Sequence, residues 1–417
     1  MTTSSHSPDP TDPCQPNHWR ALALPGLIAS GPLAVHSMIF FILPALAPQL
    51  VTAAHIAPTD YGILAGAVGL GSVLFYLVNN AVTPVLGPLG TLRLGVIIAI
   101  AGLALLLTGQ WPIMIAGGLL IGIAYATSTP AGSQILADFT PRTVWGTMFS
   151  FRQASVPVGG IIAGLIAATS IAPDGWHSAL MYCLFIVACL GLVLLATPQR
   201  FNTAHPLVPF SLHAFVAPSN ITRPFRDLIT VKGMASLVAA GCGLCVVHGA
   251  VTSFLVLYLT SGLGIASRTA ALLFVVVQAV AIFGRIFFGA VADRLRSPLQ
   301  VLRFLAPLSA LSAVMLASFD TTWAIEAQLA AAVTIGLTVG TWNGLYLSEI
   351  ARLAPQANVG NITASAAVFS FLAYAITPPL FGVLVTSFGW RKGFAMIATA
   401  ALASGIILTL RHWRERG

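Results

Sequence analysis

Uninterrupted apolar runs of about 20 residues recur along nearly the whole chain, and each is long enough to cross a bilayer as a helix. In hydrocarbon the backbone must satisfy its own polar groups, which leaves only helices and closed barrels. A barrel needs segments of about 10 residues that alternate in polarity, and the sequence contains none. Only 7% of the residues are charged, against about a quarter in soluble domains. The chain therefore reads as an all-α membrane protein. Twelve spans can be drawn, at 22–50, 59–83, 93–109, 112–137, 145–171, 176–197, 233–261, 268–291, 299–319, 322–350, 360–387 and 390–411.

The longest break between spans is Pro-rich and polar and divides the chain six plus six. This gives an expected N-terminal bundle at 21–197, a cytoplasmic linker at 198–232 and a C-terminal bundle at 233–412. Residues 1–20, rich in Ser, Pro, Thr and Asp, read as a disordered cytoplasmic tail. Ala45-Leu46-Ala47 resembles a signal-peptidase site, but the run before it is longer than an h-region, so an uncleaved helix is expected. With the N-terminus inside, fourteen basic residues fall on the inner side and three (Arg268, Arg391, Lys392) on the outer. That bias predicts cytoplasmic termini, and the short inner loops point to a multi-pass protein of a bacterial cytoplasmic membrane. The net charge of +8 is spread over short loops and is not a nucleic-acid signal.

The halves repeat one another. Gly122, Pro141, Gly146, Gly175 and Trp176 recur 214 residues later as Gly336, Pro355, Gly360, Gly389 and Trp390. Gly31 and His36 recur 212 residues on as Gly243 and His248. Shared glycines alone are weak evidence in a chain with 38 of them, but the Pro, Trp and His pairs keep nearly the same offset. Parallel six-span repeats with a site between them near mid-membrane are a transporter arrangement.

Within that frame two basic residues fall inside spans, Arg152 and Arg285, and no acidic residue is placed to neutralise either. An intramembrane arginine is costly and faces a bundle interior or a water-filled path. Arg285 lies eight residues before Asp293, about 12 Å along a helix. An anionic cargo passing between the halves would relieve the penalty, and each guanidinium offers bidentate geometry. The alternative is that both groups snorkel to the inner surface or bond to backbone carbonyls. Polar stripes at helical spacing accompany them: Gln278 with Arg285; Ser72, Tyr76, Asn79 and Thr83; Tyr125, Ser128 and Thr129; Asn343 and Tyr346; Thr363, Ser370, Tyr374 and Thr377. Such groups line a cavity or bond between helices. His36 and His248, at repeat-related positions near mid-span, are candidates for substrate contact or for a proton relay.

The arrangement resembles the major facilitator superfamily over about residues 20–412. The second-half loop carries that superfamily's signature as Gly289-x-x-x-Asp293-Arg294, with Arg296 where a glycine is usual. The first-half loop has Gly87 in place of the acidic residue. The resemblance implies a fold of two pseudo-symmetric six-helix bundles and a gating role for Gly289, Asp293, Arg294, Glu349 and Arg352. The pattern Arg285-x-x-x-Gly289-x-x-x-Asp293 is similar to the eighth helix of monocarboxylate and oxalate–formate transporters, which implies a carboxylate-binding role for Arg285. The segment around Pro157, Gly159 and Gly160 is similar to an antiporter motif.

The expectation is a secondary transporter of a small organic anion, a carboxylate, working by alternating access. Arg285, Arg152, His36, His248, Gln278, Tyr76, Asn79, Tyr125, Thr129, Asn343, Tyr346 and Tyr374 are its candidate substrate-binding residues. The alternatives are an exporter of neutral or amphipathic drugs with structural arginines, or a non-transporting substrate sensor with the same fold. The expected partners are the anionic substrate, the lipid bilayer and, where transport is coupled, protons; a monomer is the expected unit. No catalytic residue, metal or cofactor is expected. The chain has neither a P-loop nor an H-E-x-x-H motif, and Cys242-x-x-Cys245-x-x-His248 lacks a further Cys or acidic ligand.

Overall fold

The computed structural model describes residues 18–141, 144–172, 174–202, 207–320, 322–354 and 359–416. The expected tail lies almost wholly outside these residues, as do Cys14, Arg142 and Pro355. The helices are α1 His18–Ala45, α2 Ala47–Ala53, α3 Tyr61–Leu106, α4 Trp111–Phe139, α5 Trp145–Thr169 and α6 Gly175–Ala196. They continue as α7 Leu212–Val216, α8 Ser219–Thr230, α9 Met234–Leu257, α10 Ser267–Leu295, α11 Pro298–Ser318, α12 Ile325–Thr338, α13 Trp342–Leu353 and α14 Val359–Arg416.

Among the described residues, nine helices are long and apolar enough to cross a membrane. Two of them hold two spans each. α3, of 46 residues, reverses at Gly87 (φ 71°, ψ 169°), and α14, of 58, reverses at Gly389 (φ 80°, ψ 166°). That backbone region is open essentially to glycine alone. The tenth span is broken into α12 and α13 by a turn at 339–341. Together these account for the twelve expected spans. The start of α1, the end of α14 and the described part of the linker share one end of the bundle, called here the terminal end; the turns after α2 and at Gly389 mark the far end.

The terminal-end turn at Gly87 shows what replaces the missing acidic residue. Asn202, from the linker, accepts a bond from Gly90 N at 3.1 Å and donates to Leu86 O at 3.0 Å. A Cβ at Gly87 would run into that same amide. One neutral side chain thus ties the first-half loop. At the second-half counterpart, Arg296 occupies the left-handed cap (φ 50°), a conformation that costs a non-glycine residue about 1 kcal/mol. On the linker helix α8 both the inward and the outward face mix polar and apolar residues. Asp227 turns inward and accepts a 2.7 Å bond from Ser365, while Ile221, Phe225 and Ile229 stay exposed.

Contact between the halves runs along two helix pairs, α3 with α14 and α5 with α10. Close approach requires small residues, as is usual where lipid supplies no hydrophobic drive. A Cβ on Gly66 would lie 2.7 Å from Ala375 O, and one on Gly69 2.6 Å from Ala375 Cα. Gly62 meets Pro378 O in the same way, and Gly382 meets Thr59 O. On the other pair, Gly164 faces Val275 and Gly160 faces Gln278. These contacts lie between mid-depth and the far end, where the halves are shut.

Candidate functional site

The break in the tenth span creates the second-half part of the site. A turn at 339–341 interrupts the helix ladder, and two of its carbonyls are taken by side chains. His248 Nδ1 donates to Val339 O at 2.8 Å, and Arg285 Nε donates to Gly340 O at 3.0 Å. A carbonyl can only accept, so His248 carries its proton on Nδ1. Arg285 Nη1 then crosses to the other half and donates to Gln153 O at 2.7 Å. Arg285 is half-buried, and among the described residues its Nη2 has no partner.

The first half holds Arg152 in a related way. Its Nη2 donates to Ser128 O and Thr129 O, both at 2.8 Å, on α4. Gly132 makes room, since a Cβ there would lie 2.9 Å from Arg152 Nε. Ser128 is itself held by His36, whose Nδ1 lies 2.6 Å from Ser128 Oγ. Arg152 is 2% exposed and His36 0%, and both Arg152 Nε and His36 Nε2 are buried without a partner among the described residues. Each guanidinium thus rests on backbone carbonyls of the repeat-related helix, α4 or the α12–α13 break. Carbonyls satisfy some of the donors but do not cancel the charge. Among the described residues neither arginine has an ion-pair partner.

An aromatic layer spans both halves beside the arginines. Phe371 on α14 meets Tyr76 and Tyr125 of the first half at 5.3 and 5.9 Å between ring centroids. Phe40 bridges Tyr125 at 4.9 Å and Tyr374 at 5.4 Å. Phe40 and Phe371 lie on apolar runs and carried no signal of their own in the sequence. Trp342 escaped notice for the same reason; it lies 6.3 Å from the His248 ring.

The remaining candidates separate by position. Thr129 supplies a carbonyl to Arg152, and Asn343, at the start of α13, is exposed. Tyr374 hydroxyl meets Ser253 at 3.4 Å, and Tyr346 accepts from Ser370 at 3.3 Å inside the second half. Asn79 accepts from Thr83 at 2.7 Å within α3. Gln278 is buried against Gly160 between the halves, on the far-end side of Arg285. His36 and His248 share a repeat position but not an environment, because His36 is sealed inside the first half.

At the terminal end, Glu349 is fully buried between two arginines. Arg352 donates to it twice, at 2.8 and 2.7 Å, and Arg411 donates at 2.8 Å from the end of α14. Arg411 is 62 residues away in sequence and was not anticipated. Arg352 is half exposed, so its share is small, whereas Arg411 is 4% exposed. Glu349→Gln would strand a buried guanidinium, and a loss of about 3–5 kcal/mol is expected. Arg352→Gln is expected to cost less than about 1 kcal/mol. Thermal unfolding of the purified variants in detergent measures both. Asp293 and Arg294 are exposed, and among the described residues they have no ion-pair partner; Gly289 has open space around it.

Sequence comparison matches the Major Facilitator Superfamily over residues 30–378. The chain belongs to that family. It has that family's fold, that of a multi-pass membrane protein. An uncharacterized MFS-type transporter of Mycobacterium tuberculosis, found in two strains, is 22% identical to it over 295 residues, 70% of this chain. The facilitator described here spans 62% of that relative's length. The solved structure of the human organic anion transporter MFSD10 (TETRAN) is similar at a TM-score of 0.69 and 14% identity, covering 94% of this chain and 100% of that one. A POT family transporter in complex with a thioalcohol conjugated peptide gives 0.75 at 15% identity, covering 93% and 96%. At such identities the likeness establishes the fold alone.

Proposed function

We propose that this facilitator is a secondary transporter of a small organic anion, a carboxylate, which it moves by alternating access between bundles at 21–197 and 233–412 joined by a cytoplasmic linker at 198–232. The observation that carries the reading is Arg285: a half-buried guanidinium between the halves, its charge unneutralised and its Nη2 free among the described residues. The cargoes named for those two neighbours, organic anions in one case and a peptide conjugate in the other, do not choose between substrates. The Arg285-x-x-x-Gly289-x-x-x-Asp293 pattern supports a carboxylate, by its likeness to the monocarboxylate and oxalate–formate branch.

The geometry supplies a mechanism for coupling cargo to movement. Nε fixes Arg285 to its own half through Gly340 O, while Nη1 reaches the other half at Gln153 O. Nη1 carries two N–H groups, and a carboxylate seated on the Nη1–Nη2 edge competes with Gln153 O for them. Binding the cargo then loosens that cross-half strut. Arg152, with His36 and Ser128 behind it, adds a fixed positive field from the first half, and His248 presents Nε2 beside the Arg285 carbonyl site. Under the positive-inside assignment the far end is the external side and the structure is closed to the outside. His248 is the candidate relay if protons move with the anion, and a monomer suffices for the cycle.

Uptake of a labelled panel of mono- and dicarboxylates into proteoliposomes tests the reading. Arg152→Gln is expected to lower thermal stability by about 1–3 kcal/mol, because it leaves the buried Ser128 and Thr129 carbonyls short of a donor. A second reading, export of a neutral amphipathic compound, rests on the aromatic layer of Phe40, Tyr125, Phe371 and Tyr374 and on the carbonyl partners of both arginines. Uptake or efflux that ignores anions and survives Arg285→Gln selects it.

A further inference from the structure

Two repeat-related arginines, Arg93 and Arg303, stand 210 residues apart at the terminal ends of the third and ninth spans. Arg93 makes three bonds to backbone carbonyls. Its Nε and Nη2 donate to Leu194 O at 3.1 and 2.8 Å, and Nη2 also reaches Thr197 O at 3.5 Å, closing the end of α6. Arg303 faces the matching end of α14 but makes one long bond, Nε to Thr409 Oγ1 at 3.4 Å. Among the described residues its two terminal nitrogens have no partner. The repeat thus preserves the cation and drops its job.

Beside that free edge lies a shallow recess of about 470 Å³, open to the surroundings and lined by Gln300, Arg303, Phe304, Thr409 and His412. A planar guanidinium with both terminal nitrogens open suits a two-oxygen anion, above all phosphate. The recess lies at the margin of the bundle, between α11 and α14, where the neighbouring surface is apolar: Phe304 and Leu311 are both exposed on α11. Exposed Trp413 stands next to His412, the type of residue that sits at headgroup level. A ligand matching all of this has an anionic head and a hydrocarbon tail.

We propose that this recess binds the phosphate of a membrane phospholipid, with Arg303 as the charged donor, Gln300 beside it and the acyl chain lying along Phe304 and Leu311. Basic recesses between transmembrane helices at the cytoplasmic face are suited to such headgroups. A free phosphate ion would use the same arginine and gain nothing from the apolar track.

The test measures thermal unfolding of the purified full chain in neutral detergent with added phosphatidylglycerol, phosphatidylcholine or inorganic phosphate. Phosphatidylglycerol is expected to raise the melting temperature, and R303Q to weaken the apparent affinity about tenfold. R226Q, which removes an exposed charge from α8, is expected to leave the titration unchanged. Equal losses in R303Q and R226Q would mean diffuse attraction and overturn the site. Stabilisation by inorganic phosphate alone, with no added effect of lipid, would keep the anion and overturn the lipid. Mass spectrometry of phospholipid retained through purification gives a second readout, on Q300A and R303K, should R303Q not fold. Retention equal to that of the unsubstituted chain in both would also overturn the proposal.

Discussion

Arg285→Gln is expected to reduce saturable carboxylate uptake in proteoliposomes by about 100-fold or more. Hydrogen bonds to a charged partner contribute about 1.5–3 kcal/mol each, and the Nη1–Nη2 edge of this guanidinium offers two. Losing both amounts to about 3–6 kcal/mol, and each 1.4 kcal/mol is about a factor of ten. Arg285→Lys keeps the charge but not the fork, so a smaller loss, about tenfold, is expected. The apo protein should remain folded. Arg285 is half-buried and its partners are two carbonyls at a turn and a helix, so a cost of about 1–2 kcal/mol is expected. The telling comparison is ligand-induced thermal stabilisation. Wild-type protein should be stabilised by its anion and Arg285→Gln should not, while both remain folded. Equal stabilisation of the two would end the anion reading and leave only the fold.

That contrast with Arg152 is physical. Both arginines lie inside spans, and the sequence treats them alike. The structure separates them by what surrounds the head: Arg152 is sealed at 2% exposed, and Arg285 keeps an open nitrogen at the junction of the halves. In the proposed function, one supports the site and the other meets the cargo.

Spans, repeat and loop signature were legible because they depend on length, periodicity and local spacing. An apolar run long enough to cross hydrocarbon has few other uses, and an offset shared by Pro, Trp and His pairs is hard to produce by chance. The break at 339–341 was not legible, since Gly340 is one glycine among 38 and most of the others sit in continuous helix. Asn202 could not be foreseen at Gly87, because the contact joins residues 112 and 116 positions apart. Glu349 and Arg352 share a helix face three residues apart, so that pair was visible, while Arg411 needed the packing of α13 on α14. The two histidines show the limit most plainly. Their repeat positions match, but a sequence does not say how far each helix is turned, and only His248 reaches the Arg285 side.

Gly66→Leu is expected to leave a folded protein that no longer closes its far end. A Cβ at Gly66 would sit 2.7 Å from Ala375 O and 2.7–2.9 Å from the Pro379 ring. Those atoms belong to backbone and to a proline, so no flexible side chain can yield. Overpacking of this kind costs about 1–3 kcal/mol or more, and the cost falls only on the state in which α3 and α14 touch. An equilibrium between two states then shifts by about 10- to 100-fold toward the open far end. Adding Gly62→Leu, which faces Pro378 O, extends the shift. Gly122 is the control: its Cβ would meet Val68 O within the first half, where no movement relieves the clash, and Gly122→Leu is expected not to fold. Ser253, 1% exposed beside Tyr374 near the closed end, is the reporter. In a background with the five native cysteines replaced, Ser253→Cys should react slowly with a membrane-impermeant maleimide and at least about tenfold faster when Gly66→Leu is added. Net transport should fall to background in the same variant, because a carrier held in one state completes no cycle. Unchanged labelling with intact transport would mean that the glycine contact between α3 and α14 is not remade in each turnover, and the alternating movement would have to hinge on α5 and α10 instead.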